Sequence, residues 1–176
     1  IVLYASILLW GILCGAVVYE HLAIIPVWAS NPPESLAMWT GPYPVKSMHF
    51  WPFIHPVIIV TLLAAIGLNW GNDARNLIAL AGVGYVLAVL LPTAIWFVPE
   101  LLHLINPETD LPSEQWRRRA KRWEALSLAR GVVVLTLIVP LLIAYAIATI
   151  GVEFATVFNN AMMPTLVPPE SLLRAR

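Results

Sequence analysis

Residues 76–105 read NLIALAGVGYVLAVLLPTAIWFVPELLHLI, an apolar run whose only charged or imidazole side chains, Glu100 and His103, lie near its end. A helix needs about 20 apolar residues to cross the roughly 30 Å of hydrocarbon in a bilayer, and this run is longer. It therefore predicts a transmembrane helix that tilts, kinks or protrudes from the membrane. Pro92 and Pro99 favour a kink, because each removes a backbone hydrogen-bond donor.

The composition of the whole chain agrees with this interpretation. Of its 176 residues, 60% are hydrophobic and 11% are charged, whereas soluble domains contain about 25% charged residues. The sequence therefore predicts an integral membrane protein. The formal net charge is zero, which argues against a nucleic-acid partner. Cys14 is the only cysteine, so the chain can form no internal disulfide.

Three further apolar runs bring the number of predicted spans to four, which cover residues 1–25, 51–70, 76–105 and 124–150. We predict an all-α fold, an integral membrane four-helix up-and-down bundle that forms a single transmembrane domain over residues 1–176. Short interfacial helices are expected near residues 33–39. The tail 151–176 is expected to lie along the membrane surface.

The first run begins without a methionine and has no basic flank. It is too long for the core of a signal peptide, so we expect a retained span in a chain that is processed or incomplete before Ile1. Gly11 and Gly15 are four residues apart, a spacing that lets two membrane helices approach closely. They are candidates for a contact between helices.

Basic residues set the expected orientation. Lys46 and five residues of the run 117–122 lie in the first and third connections, whereas the opposite side holds three arginines. The positive-inside rule then places the connection 106–123 in the cytoplasm and both termini outside. The basic run is expected to anchor the chain against anionic lipid headgroups.

An up-and-down bundle places the ends of spans one and three beside the starts of spans two and four. One membrane face then collects every histidine of the chain, three carboxylates and an arginine: Glu20, His21, His49, His55, Glu100, His103, Glu124 and Arg130. Interfacial anchoring is one interpretation, since polar groups and tryptophans gather at headgroup level in any case. His55 favours a shared site, because it lies about one turn inside span two, where ionisable groups are costly and mark function. The opposite half of the bundle offers only uncharged groups such as Tyr85.

Three chemistries fit this layer, two of them with a cofactor. Glu100 and His103 share one face of a helix, and with His55 they could hold a mononuclear iron or copper ion with open positions for oxygen. The sequence has no second Glu-x-x-His, which argues against a dinuclear site. Heme b could bind instead, with His55 as its axial ligand.

The third chemistry uses no cofactor. A histidine or one of the carboxylates Glu20, Glu100 and Glu124 accepts a proton from an acidic C–H of the substrate. Arg130 then stabilises the anion that forms. Signatures for phosphate-binding loops, dinucleotide-binding turns, nucleophile elbows and zinc-binding cysteine pairs are missing from the sequence, so all three chemistries stay open.

Two stretches carry a resemblance to a known family. The sequence TAIWFVPE at 93–100 and the segment 122–130, which begins Arg-Trp-Glu and ends at Arg130, resemble the anthrone-oxygenase-like family of small four-span membrane proteins. The resemblance covers about residues 1–150 and implies oxygenation of, or other chemistry on, lipophilic ring compounds. In size and number of spans the chain is also similar to styrene oxide isomerase, a haem-containing membrane enzyme, which implies His55 as a haem ligand.

We therefore expect a membrane-embedded enzyme, an oxygenase or isomerase, that acts on a small lipophilic substrate arriving from the bilayer. The Trp-rich connection 30–50 is expected to act as a lid over the site. The alternative is a non-catalytic structural subunit of a larger membrane protein complex. Assembly into a homo-oligomer is compatible with either function.

Overall fold

The computed structural model describes residues 1–106, 109 and 111–166, and every regular element in them is a helix. The long helices are α1 (Val2–Trp28), α2 (Trp51–Leu68), α3 (Ala74–Ile105), α4 (Ser113–Thr136) and α5 (Ile138–Leu166). Short helical turns occupy part of the first connection, at Glu34–Leu36, Ala37–Thr40 and Ser47–His49. The predicted all-α fold is confirmed.

Four segments of the described chain are long and apolar enough to cross a membrane. They are α1, α2, α3 and the 50-residue segment Ser113–Met162, in which α5 follows α4 after a break at Leu137. The protein is therefore a multi-pass membrane protein. The predicted surface tail from residue 151 continues α5 as a helix through Leu166, and residues 167–176 lie outside the described part of the chain.

The basic run lies on a helix and not in a connection. The fourth span was expected to begin at residue 124, but α4 begins at Ser113. The run 117–122 therefore has a helical period, which turns some of its side chains toward the bundle and others outward. Its cytoplasmic placement stays a prediction.

Two apolar cores hold the helices together. At the centre of the larger core lie Trp10 of α1 and Tyr85 of α3, both 0% exposed, with ring centroids 4.9 Å apart. The smaller core lies where α1 ends, and there Trp28 packs edge-on against Trp116 and Trp123 of α4. Lipid tails are as apolar as these side chains, so close packing and hydrogen bonds must supply the specificity of the bundle.

Indole hydrogen bonds join helices that are distant in sequence. Trp10 Nε1 donates to the carbonyl oxygen of Val134 at 2.9 Å, which joins α1 to α4. Trp123 Nε1 donates to the carbonyl oxygen of Phe97 at 2.9 Å, which joins α4 to α3. An N–H group inside a bilayer has no water to bond with, so these contacts fix the positions of the helices.

Wide π-helical turns interrupt α1 and α3. They cover Glu20–Ile24 in α1, and Val86–Leu90 and Thr93–Phe97 in α3. The two turns in α3 lie on either side of Pro92, which cannot take part in a regular helical ladder. Turns of this kind are frequent at functional sites, and Glu20 and Thr93 both belong to the cavity described below.

Helices α1 and α4 pack closely at a glycine that the sequence did not single out. A Cβ atom on Gly131 would lie 2.9 Å from Cγ1 of Val17 and 3.5 Å from Cε1 of His21. Gly11 and Gly15, the expected contact residues, have no atom within 4 Å of such a position. The helix contact predicted for them is therefore not made by the residues that the structure describes.

We expect Gly131→Ala to destabilise the protein by about 1–3 kcal/mol, because the added methyl group would lie 2.9 Å from Cγ1 of Val17 and must displace that side chain. Gly15→Ala is the matched control. It adds a methyl group in open space, and replacing a helical glycine by alanine gains up to about 1 kcal/mol. Unfolding of both variants in detergent micelles measures the difference. Equal stability of the two variants would contradict the close approach at Gly131.

Candidate functional site

A cavity of about 100 Å³ lies where α1 ends and α2 begins, between these helices, α3 and α4. Most of its lining is apolar. Its polar lining residues are Glu20, His21, Ser47, His55, Thr93, Ser127 and Arg130. A cavity of about 150 Å³ in another protein holds benzene, so this smaller cavity holds at most a single ring.

Four of the eight predicted site residues meet in this cavity. Glu20 and His21 come from α1, His55 comes from α2, and Arg130 comes from α4. The up-and-down topology thus brings ionisable groups from three helices together, although they are far apart in sequence.

Arg130 is held inside the bundle by neutral groups. Its Nη1 donates to Thr93 Oγ1 at 2.6 Å, and its Nη2 donates to Ser127 Oγ at 3.2 Å. The guanidinium carbon lies 4.0 Å from the centroid of the Phe97 ring, a cation–π contact that is strong when water is excluded. Within the described residues, Arg130 forms no ion pair at 4 Å or less. Its positive charge is therefore free to act on whatever occupies the cavity.

Glu20 supplies the opposite charge. Its carboxylate attracts Arg130 across the cavity, but in the described part of the chain it accepts no hydrogen bond and forms no direct ion pair. A carboxylate inside a membrane is costly unless it has a partner. Glu20 is thus the group of this site that is most available for a proton or for a substrate.

The two cavity histidines have different partners. His21 Nδ1 lies 2.8 Å from the carbonyl oxygen of Val17, and its Nε2 is buried with no partner among the described residues. His55 Nδ1 shares a short hydrogen bond with the hydroxyl of Tyr85. The His55 ring also stacks on Trp51, with centroids 5.7 Å apart.

The observed position of Tyr85 differs from the predicted one. The sequence placed it in the opposite half of the bundle, but its hydroxyl reaches His55 directly. A signal for this pairing was present, because His55 and Tyr85 are equidistant from Trp70 in the tight turn that joins α2 to α3. Residues equidistant from the turn of an antiparallel helix pair lie at the same depth.

The other predicted residues lie elsewhere. Glu100 forms a two-point ion pair with Arg119, through Nε to Oε1 at 2.7 Å and Nη2 to Oε2 at 2.5 Å. His49, His103 and Glu124 are exposed. None of these four residues lines the cavity.

The proposed metal ligands are therefore not brought together. Glu100 is engaged by Arg119 on α4, and His103 points away from the cavity that His55 lines. No group of three or more histidine, cysteine, aspartate or glutamate side chains in the described residues could hold a metal ion. A haem macrocycle, which is several rings wide, does not fit a cavity of single-ring volume. His55 as a haem ligand thus finds no support in the shape of the site.

Comparisons of the chain with protein-family models, with characterised proteins and with solved structures find no match. The chemistry of the cavity therefore has to be inferred from its own geometry.

A double-mutant cycle with Glu100→Gln and Arg119→Gln tests the placement of Glu100. We expect a coupling energy of about 0.5–1 kcal/mol, since the pair has two-point geometry but the Arg119 side chain is 36% exposed. Unfolding by sodium dodecyl sulfate in mixed micelles measures it. A coupling energy indistinguishable from zero would contradict the ion pair. Glu100 would then again be a candidate residue of the functional site.

Proposed function

We propose that the protein is a membrane-embedded enzyme that transfers a proton on a small lipophilic substrate, which it isomerises or prepares for oxygenation. The observation that carries this proposal is the juxtaposition of Glu20 and Arg130. Within the part of the chain that the structure describes, a carboxylate without a hydrogen bond and a guanidinium without an ion pair line one apolar cavity.

The lining of the cavity supports a lipophilic substrate. Val98 and Leu102 of α3 belong to the lining, and they are also 37% and 50% exposed on the outer surface of the bundle. The cavity thus extends to a surface that faces lipid tails in a multi-pass protein. A substrate dissolved in the bilayer can reach it from the side.

The charges support proton transfer. Glu20 accepts a proton from a C–H group next to a carbonyl of the substrate. The electron pair that remains spreads onto the carbonyl oxygen, where the Arg130 guanidinium stabilises the negative charge. Because Thr93, Ser127 and Phe97 already hold Arg130 in place, little reorganisation is needed during the reaction.

Two reactions can follow this proton transfer, and each accounts for the carbanion and for the proton held by Glu20. In an isomerisation, Glu20 returns the same proton to a different atom of the substrate, and nothing else is consumed. In an oxygenation, the carbanion bonds to dioxygen as co-reactant, and the proton on Glu20 passes to the terminal oxygen. The resemblance to the anthrone-oxygenase-like family favours the second outcome, and the single-ring volume of the cavity limits both to small substrates.

The segment 30–50 contributes less to the site than a lid would require. Among the described side chains of this segment, Ser47 alone belongs to the lining, whereas Leu36 packs into the smaller core with Trp28. We therefore restrict the proposed lid to Ser47, where the segment contacts the cavity. The access route past Val98 and Leu102 does not depend on it.

Deuterium exchange into a one-ring ketone tests the proposal. We expect the protein in lipid nanodiscs to accelerate exchange of the acidic C–H groups of phenylacetone or a similar ketone with D₂O, relative to empty nanodiscs. Glu20→Gln and Arg130→Met should each lower the acceleration by about 10²-fold or more, since a positioned general base contributes about 10²–10⁴-fold. Mass spectrometry of the recovered ketone measures the rate.

Glu124→Gln is the matched control, because Glu124 is exposed and does not line the cavity. It should keep the activity of the unaltered protein, and all variants should unfold at similar temperatures. Exchange that is no faster than in empty nanodiscs, or that survives both cavity substitutions, would refute the enzyme proposal. A complex of fixed stoichiometry purified with the inactive chain would then favour a structural subunit.

A further inference from the structure

The hydrogen-bond partner of His21 fixes where its ring proton lies. Nδ1 of this histidine is 2.8 Å from the carbonyl oxygen of Val17. A carbonyl oxygen can only accept, so Nδ1 carries the hydrogen and donates it. In a neutral ring, Nε2 is then a bare lone pair. This nitrogen is buried, has no partner in the described part of the chain, and belongs to a residue of the cavity lining.

The partner of His55 fixes the opposite arrangement. Tyr85 is 0% exposed, and within the described residues its hydroxyl has one hydrogen-bond partner, Nδ1 of His55. A buried hydroxyl whose hydrogen finds no acceptor is costly. The hydroxyl therefore donates, Nδ1 accepts, and the proton of the neutral ring lies on Nε2. Nε2 has no partner of its own in the described chain and is not enclosed.

We propose that the Val17 carbonyl and the Tyr85 hydroxyl hold His21 and His55 in opposite neutral tautomers, so that His55 presents an N–H donor to the cavity while the bare Nε2 of His21 stays enclosed in the cavity wall. The catalytic consequence rests on the function proposed above, whereas the tautomers themselves do not. Tyr85 is then a positioning residue, which acts on a substrate through His55.

With these tautomers, hydrogen-bond acceptors and donors lie on different walls of the cavity. The accessible acceptor, the Glu20 carboxylate, comes from α1. The donors, His55 Nε2–H and the guanidinium of Arg130, come from α2 and α4. A substrate that satisfies both sides places its oxygen toward α2 and α4 and its acidic hydrogen toward α1.

The proton transfer follows from this placement. The C–H bond breaks and its proton passes to the Glu20 carboxylate on α1, while the electron pair moves onto the substrate oxygen. That oxygen accepts hydrogen bonds from His55 and Arg130. His55 keeps its own proton throughout, in the way that a neutral imidazole polarises a carbonyl in other enzymes. The proton leaves α1 again when it is returned to the substrate.

Nitrogen NMR of the protein in lipid nanodiscs tests the proposal, with ¹⁵N-labelled histidine rings at mildly alkaline pH. The long-range proton–nitrogen pattern distinguishes the two neutral tautomers directly. Single substitutions His21→Asn and His55→Asn assign the two cavity signals, and the exposed His49 and His103 give the reference pattern of free rings. We expect His21 protonated on Nδ1 and His55 protonated on Nε2.

Tyr85→Phe removes only the hydroxyl. We expect the Nδ1 resonance of His55 to move downfield, as an acceptor nitrogen does when it loses its hydrogen bond, while the His21 signals stay unchanged. Tyr145→Phe is the matched control, since Tyr145 is 39% exposed and does not line the cavity. It should leave every histidine signal in place.

The same tautomer on both histidines of the unaltered protein would overturn the proposal. An unchanged chemical shift of His55 Nδ1 in the Tyr85→Phe variant would also overturn it. The ketone exchange assay separates this failure from failure of the proposed function. Opposite tautomers without accelerated exchange would refute the function and keep the assignment. Accelerated exchange with identical tautomers would refute the assignment and keep the function.

Discussion

The organisation of the site depends on one positive charge inside a membrane bundle. An arginine within a transmembrane segment is costly, and it persists where the protein satisfies its donors. Here two hydroxyls and the face of Phe97 satisfy Arg130 without neutralising it. Had Glu20 formed a direct ion pair with it, both charges would be consumed by the structure. The neutral partners leave a guanidinium and a carboxylate on the walls of one apolar cavity.

The architecture around Arg130 follows from the same constraint. Thr93 belongs to a π-helical turn beside Pro92, and Glu20 begins another such turn in α1. Gly131, next to Arg130, lets α4 approach Val17 and His21 closely. The π-helical turns and Gly131, which has no side chain, thus lie where α1, α3 and α4 surround the guanidinium of Arg130.

The sequence was sufficient for the number of membrane spans and for the convergence of Glu20, His21, His55 and Arg130. Apolar length reports a span directly, and an antiparallel order of spans places the ends of neighbouring helices together. Neither argument says which side chains turn inward, and for this reason Glu100 was assigned to the site.

Arg119, the partner of Glu100, could have been found from the spacing of apolar residues in the basic run, which an average hydropathy does not show. Trp116, Ala120 and Trp123 recur at helical spacing through the basic run, which predicts a helix where a connection was expected. On that helix Arg119 reaches Glu100. The π-helical turns and the orientation of Arg130 could not have been predicted in this way, because they depend on tertiary packing.

The donors and acceptors of the cavity, and not its volume or its apolar walls, favour acid–base chemistry over simple binding of a lipid. Apolar walls are common to all membrane bundles. This cavity is unusual because it combines a carboxylate and a guanidinium that form no ion pair with any described residue, and two histidines with different ring partners. Each of these groups would be costly in hydrocarbon, which argues that they are retained for a role.

Solid-state NMR of the protein in lipid bilayers, with labelled arginine and phenylalanine, measures most directly whether Arg130 lies inside the bundle. The structure predicts a through-space contact between the Arg130 guanidinium carbon and the Phe97 ring, whose centroid lies 4.0 Å away. It also predicts no dipolar coupling of that carbon to lipid phosphorus. A phosphorus coupling without the Phe97 contact would place the guanidinium among the headgroups and contradict the site described above.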